Sequence, residues 1–96
     1  MFALIASLRV DPANCESFER NFETLATWVR ANEPDTLVYH LTRSREQPGG
    51  YKVLEIYRSE AAVKPHTESE AFQRYRPTMI ALLLEPPLVE RMDVAV

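Results

Sequence analysis

Seven prolines partition this chain, and each says where a regular element must begin or end. Proline has no amide proton and a fixed φ, so it suits the first position of a helix and disrupts an interior ladder. Asp11-Pro12 therefore reads as a helix start, with an acid at the N-cap and proline just inside. The helix is expected to reach about Ala31, with Cys15, Phe18, Phe22, Leu25 and Val29 on one apolar stripe. Asn32-Glu33-Pro34-Asp35 breaks it. Pro48-Gly49-Gly50 marks a hairpin connection. Ser59 can cap a short helix, EAAVK, which Pro65 is expected to stop while turning Lys64 away from helical angles. A second helix restarts with Thr67 or Ser69 as cap, Thr67 and Glu70 fitting a capping box. Pro77 predicts a kink or split near residues 73 to 77, and Glu85-Pro86-Pro87 ends the helix.

Four alternating segments lie between these breaks. They are FALIASLRV (2–10), TLVYHLTR (36–43), YKVLEIYR (51–58) and LVERMDV (88–94). The order is β-α-β-β-(short α)-α-β, an α+β chain with the split βαβ, ferredoxin-like pattern. It predicts one domain spanning 1–96, an antiparallel four-stranded sheet and helices on one face only. The first strand is apolar on both sides, as a strand covered on both faces would be. Val38, His40 and Thr42 oppose Leu37, Tyr39 and Leu41. Lys52, Leu54 and Ile56 oppose Tyr51, Val53, Glu55 and Tyr57. The face away from the helices is thus half apolar, and a second copy packed on it, a homodimer, is the simplest expectation.

Bulk properties exclude several functions. The net charge is −3, and the eleven Lys and Arg form no cluster, so no nucleic-acid partner is expected. No 18-residue apolar run is present, so no membrane span is expected. The N-terminus reads as a strand because a basic n-region is missing and Arg9 and Asp11 cut the apolar run. Cys15 is alone and cannot form an intrachain disulfide, which fits a reducing cytoplasm. Two histidines and one cysteine without close ligand spacing give no metal motif. Nucleotide-binding and Ser-His-Asp signatures are also missing.

The candidate chemistry centres on Glu55 and His66. Glu55 is mid-strand beside Tyr51, Val53 and Tyr57. If that face is buried, the carboxylate needs a partner, such as His66, Arg9 or a group from a second subunit, or its pKa rises. Otherwise it is a solvated strand residue. His66 sits at a helix joint, near unpaired amides. It reads either as a base or anion ligand titrating near neutrality, or as a turn residue. His40 reads as a sheet-face or interface residue. Tyr39, Tyr51, Tyr57, Tyr75, Phe72 and Trp28 can line a pocket or simply fill a core. Cys15, on the apolar stripe, reads as a buried thiol.

The segment YKVLEIYRSEAAVKPHTESEAF resembles the hallmark of the antibiotic biosynthesis monooxygenase family. The matching features are Tyr51, Glu55 with Tyr57 as E-x-[YW], Ala61-Ala62, His66, and Ser69 with Phe72. EPDTLVYHL resembles the family's E-P-G-T-L-x-Y-x-L turn and strand, with Asp35 in place of the usual Gly. The resemblance implies a ferredoxin-like protomer, a homodimer forming a dimeric α/β barrel, and a pocket between sheet and helices. Some relatives oxidise phenols, anthrones or quinols with O2 and without metal or flavin. On that pattern the partners are a small aromatic, phenolic or quinol substrate and O2, with no cofactor. His66 would be base or oxyanion partner, and Glu55 would orient or tune it. Tyr39, Tyr57, Tyr75 and Phe72 would shape the pocket. Another branch isomerises a phosphorylated dione, for which Arg74 or Arg76 would supply an anion site. A non-catalytic small-molecule-binding, stress-response dimer is a third reading. Haem-degrading relatives are less similar, with an Asn on the first strand and Trp at the place of His66. Here that strand offers Ser7.

Overall fold

Alternating apolar residues extend the backbone where the sequence predicts strands, and apolar residues at helical spacing coil it between them. The computed structural model describes residues 1–96. Its elements are β1 (Phe2–Arg9), α1 (Cys15–Asn32), β2 (Thr36–Arg43), β3 (Gly50–Tyr57), α2 (Val63–Glu68), α3 (Glu70–Ala81) and β4 (Leu88–Asp93). Short 3-10 turns at Pro12–Asn14 and Glu60–Ala62 lead into α1 and α2. The strands lie in the order β2-β3-β1-β4, every pairing antiparallel, which is the ferredoxin-like arrangement.

Helix α1 buries Phe18, Phe22, Leu25, Ala26 and Val29. Phe22 through Val29 join Tyr39 and Val53 of the sheet and Ala71 of α3 in the main core, where the Phe22 and Tyr39 rings stack with centroids 5.2 Å apart. Burying one such side chain is worth about 1.5–3 kcal/mol, so the stripe on α1 holds the layers together. A second cluster joins Phe2, Leu4 and Tyr57, and a third joins Val10, Phe18 and Tyr51. Cys15 is only half-buried, because it opens the helix at its exposed end. The other face of the sheet carries no helix. Half-buried Ala3, Ile5, Val38, Leu54, Ile56 and Met92 lie there among Lys52, Thr42 and Glu90.

Three local expectations are corrected. Pro65 does not stop a helix. It is the third residue of α2, where its missing amide would have had no intrahelical partner, so His66 lies inside that helix. The break falls at Ser69, which is extended (ψ 147°) and accepts a hydrogen bond from the Phe72 amide at 3.1 Å. Thr67 forms no capping box, since its hydroxyl donates to the Lys64 carbonyl at 3.2 Å. Pro77 lies within α3 without splitting it.

The hairpin between β2 and β3 depends on one glycine. The Gly50 amide donates to the Gln47 carbonyl at 3.0 Å, with Pro48 and Gly49 between them. Gly49 has φ +80°, the value required at the third position of a type II turn. Its carbonyl accepts from the Val10 amide at 2.8 Å, and a Cβ on it would meet the Val10 carbonyl oxygen at 2.0 Å. Neither contact atom can swing aside, because both are backbone. Gly49→Ala is expected to cost about 2–4 kcal/mol, from left-handed strain plus overpacking. Urea unfolding would measure it, and a change below about 0.5 kcal/mol, the range of ordinary surface substitutions, would show that the turn does not constrain the fold.

Candidate functional site

The C-terminal end of α1 places Glu33, whose amide closes the helix on the Val29 carbonyl. A bulge at Leu37 then shifts β2 by one residue, so Thr36 pairs with Tyr57. Thr36 donates its hydroxyl to Glu33 Oε1 at 2.7 Å, and His66 Nδ1 lies 2.8 Å from the same oxygen. An ionised carboxylate only accepts, so Nδ1 is the donor. His66 is only 2% exposed. Its ring meets those of Tyr39 and Phe72 edge-on, both at 4.9 Å, and lies 5.7 Å from Tyr57. Glu33 Oε2 is buried without a protein partner, beside a small cavity of about 150 Å³ that His66, Pro65 and Asp35 also line.

The second carboxylate has a hydrogen-bond partner of its own. Glu55 and Tyr57 are two apart on β3 and so point to the same face. The Tyr57 hydroxyl donates a short hydrogen bond to Glu55 Oε1. Burial pushes the Glu55 carboxyl above the usual carboxylate range, opposed by the Tyr57 hydrogen bond and by the proximity of His66, while Glu33 pushes the same way as burial. Burial also raises the Tyr39 and Tyr57 phenols, and the charge of Glu55 raises both further. Both phenols therefore stay neutral hydrogen-bond donors at any physiological pH.

Between sheet and helices lies a cavity of about 190 Å³. Its wall is mainly apolar, with Phe18, Phe22, Tyr39 and Phe72 as aromatic surfaces and Glu55 and Arg76 as the only charged groups. Of the residues singled out in the sequence, Tyr39, Glu55 and Phe72 line this space. His66 stands behind Tyr39 and Phe72, and Tyr57 reaches the site through Glu55. Tyr75 is elsewhere: its carbonyl accepts from Asn21 Nδ2 at 3.1 Å, and its ring lies under Arg74. The expected partnership of Glu55 with His66 is replaced by two pairs, Glu33 with His66 and Tyr57 with Glu55. Glu33 escaped sequence reasoning because it reads as part of a helix stop. Its place in the E-P-x-T-L stretch is the signal that marks it. His40 is exposed on the edge strand, with Nδ1 2.9 Å from Arg30 Nη2. A larger cavity of about 530 Å³ sits at the hairpin end, lined by Arg9, Lys52 and Thr42 among others, and has no converging aromatic wall. No group of three or more His, Cys, Asp or Glu is arranged to hold a metal ion, and no helix is long and apolar enough to cross a membrane.

The family model for antibiotic biosynthesis monooxygenase matches residues 1–78. The chain belongs to the antibiotic biosynthesis monooxygenase family. Solved structures agree with this family placement. A Caulobacter crescentus protein, named as a candidate antibiotic biosynthesis monooxygenase, is 40% identical, with TM-score 0.95 over 99% of this chain and 90% of its own. PA3566 of Pseudomonas aeruginosa is 26% identical, with TM-score 0.85 over 99% of this chain and 94% of its own. Rv0793 of Mycobacterium tuberculosis is also 26% identical, with TM-score 0.85 over 99% and 98% respectively. No curated protein matches the chain by sequence.

In this family member the desolvated Glu55 sets a pH dependence of stability. Its folded pKa is raised, so the folded state holds its proton more tightly than the unfolded chain. Stability associated with Glu55 is therefore full below the unfolded carboxylate value, about 4.3, and is lost as pH rises from there through the raised folded value. Glu55→Gln removes this loss and keeps an acceptor for Tyr57. The variant should melt higher than the parent at pH 7, and the gap should close toward pH 4. A gap that widens on acidification would mean that the folded protein favours the ionised form.

Proposed function

We propose that this chain is a cofactor-independent monooxygenase for a small phenol or quinol, and that Glu55 is its base. The carrying observation is a single desolvated carboxyl on the wall of an otherwise apolar, aromatic-lined cavity. Triplet O2 reacts slowly with closed-shell phenols, whereas a phenolate can donate an electron to it. Glu55 would take the phenolic proton, and its raised affinity for protons makes its carboxylate a stronger base than an exposed one. The Tyr39 hydroxyl, neutral because burial raises its pKa, is available on the cavity wall to donate to the developing oxyanion. Apolar walls would keep water from the reduced oxygen species. The net change is phenol plus O2 to quinone plus water, or quinol plus O2 to hydroxyquinone plus water.

On this reading the role of base passes from His66 to Glu55. His66, held by Glu33, keeps the Tyr39 and Phe72 rings in place from behind. A proton-transfer isomerase of a small dione would use the same carboxylate, with Arg76 beside it for an anionic group, and would consume no O2. An oxygen electrode separates the two. With 1,4-hydroquinone and monocyclic phenols, uptake should accompany formation of the hydroxyquinone and the quinone respectively, and fall about 10²–10⁴-fold in Glu55→Gln, the usual range for loss of a general base. Absence of uptake across such a panel, with folding intact, would reject the oxygenase.

We also propose that the protein works as a homodimer packed through the helix-free sheet face. Half-buried Ile5, Leu54 and Ile56 on that face support it, since a small domain gains by covering them. Light scattering should report a dimer, and Ile56→Glu should convert it to monomer. A monomeric parent protein at tens of micromolar would refute the assembly.

A further inference from the structure

The cavity has two charged groups, and only one of them is used by the proposed chemistry. On α3 and the turn after it, Phe72, Met79, Ile80 and Leu83 present an apolar face to the cavity. Arg76 occupies the same face, four residues after Phe72 and four before Ile80, where helical spacing calls for another apolar residue. Five other arginines are occupied, and the remaining three, Arg9, Arg45 and Arg91, do not line this cavity. Arg20, Arg43 and Arg58 pair with Glu16, Glu19 and Asp35, Arg30 bonds Tyr39 and His40, and Arg74 covers the Tyr75 ring. Arg76 takes part in none of the ion pairs, including one with Glu55 on the same wall. Exposed Arg76, Ile80 and Val89 mark the rim, and Glu55, partly buried on a central strand, marks the floor.

The volume limits what lies between those ends. An apolar cavity of about 150 Å³ holds benzene. At about 190 Å³ this one has room for a ring and its small substituents but not for a fused tricycle. Four aromatic side chains provide faces and edges for such a ring. A guanidinium at the rim presents a planar fork of donors that matches a carboxylate.

We infer that the ligand is a single-ring aromatic carrying a carboxylate, the ring held among Phe22, Tyr39 and Phe72 and the carboxylate bound by Arg76. This rests on the proposed function only in taking a phenol as the group presented to Glu55. Arg76 then selects the substrate and orients its hydroxyl toward the floor.

Isothermal titration tests this without turnover, with 4-hydroxybenzoate as probe, 4-hydroxybenzyl alcohol as its neutral counterpart and anthraquinone-2-carboxylate as the large one. The acid should bind about tenfold more tightly than the alcohol, a modest preference because the guanidinium is solvent-accessible. Arg76→Gln should erase that preference and leave the alcohol's affinity unchanged, and Arg76→Lys should restore part of it. Equal affinity for acid and alcohol, equal losses for both in Arg76→Gln, or no binding of either single-ring probe at millimolar concentration would overturn the inference. Tighter binding of the tricyclic acid would overturn its size limit. Oxygen uptake is read separately. Arg76-dependent binding without uptake would leave the inference standing and reject the oxygenase, whereas uptake on neutral phenols with no preference for acids would do the reverse.

Discussion

One carboxylate oxygen ties three parts of the chain together. Glu33 Oε1 receives the Thr36 hydroxyl from the start of β2 and the His66 imidazole from α2. Because α1 ends at Glu33, that atom fixes where the first helix hands over to the sheet and where the later helices dock on both. The pair is nearly dry, so breaking it would leave a buried polar group without a partner, at a cost of about 1–3 kcal/mol. Downstream, the position of α2 sets the break at Ser69, Ser69 sets the first turn of α3, and α3 delivers Phe72 and Arg76 to the cavity wall. A contact that touches no ligand space thereby decides the shape of that space.

The site is built at the expense of stability. A carboxyl on a central strand, facing the helices, is a poor choice for a core, and the Tyr57 hydroxyl relieves only part of its desolvation. Leu or Val at that position would satisfy the pattern set by Tyr51, Val53 and Tyr57. Retaining an acid there is the kind of local conflict that proteins keep where they bind or react.

Much of this was legible in the residues. Element order followed from alternation and proline placement, and the buried stripe of α1 from helical spacing, because both are set by local geometry. The tyrosine and carboxylate positions on β3 were legible for the same reason: residues two apart share a face. The identity of the partners was not. Glu33 and His66 are 33 residues apart, and nothing local says that a helix-stop acid and a helical imidazole meet. Pro65 misled because proline is both a helix breaker and an acceptable first-turn residue, and only the preceding 3-10 turn decides between the two. Tyr75 lies off the cavity wall, since a tyrosine beside cavity-facing residues on a helix need not share their side.

The bulge at Leu37 has an effect on β2 as a boundary. That strand is an edge of the sheet, with free amides and carbonyls along its outer side. An incoming strand from another chain needs an unbroken row of such groups at regular spacing. The extra residue interrupts the row near its start and adds twist. Growth of the sheet by strand addition along β2 is thereby discouraged, and the face becomes the easier route to association. The residue that brings Thr36 into register with Tyr57 thus also guards the rim of the sheet against fibre-like extension.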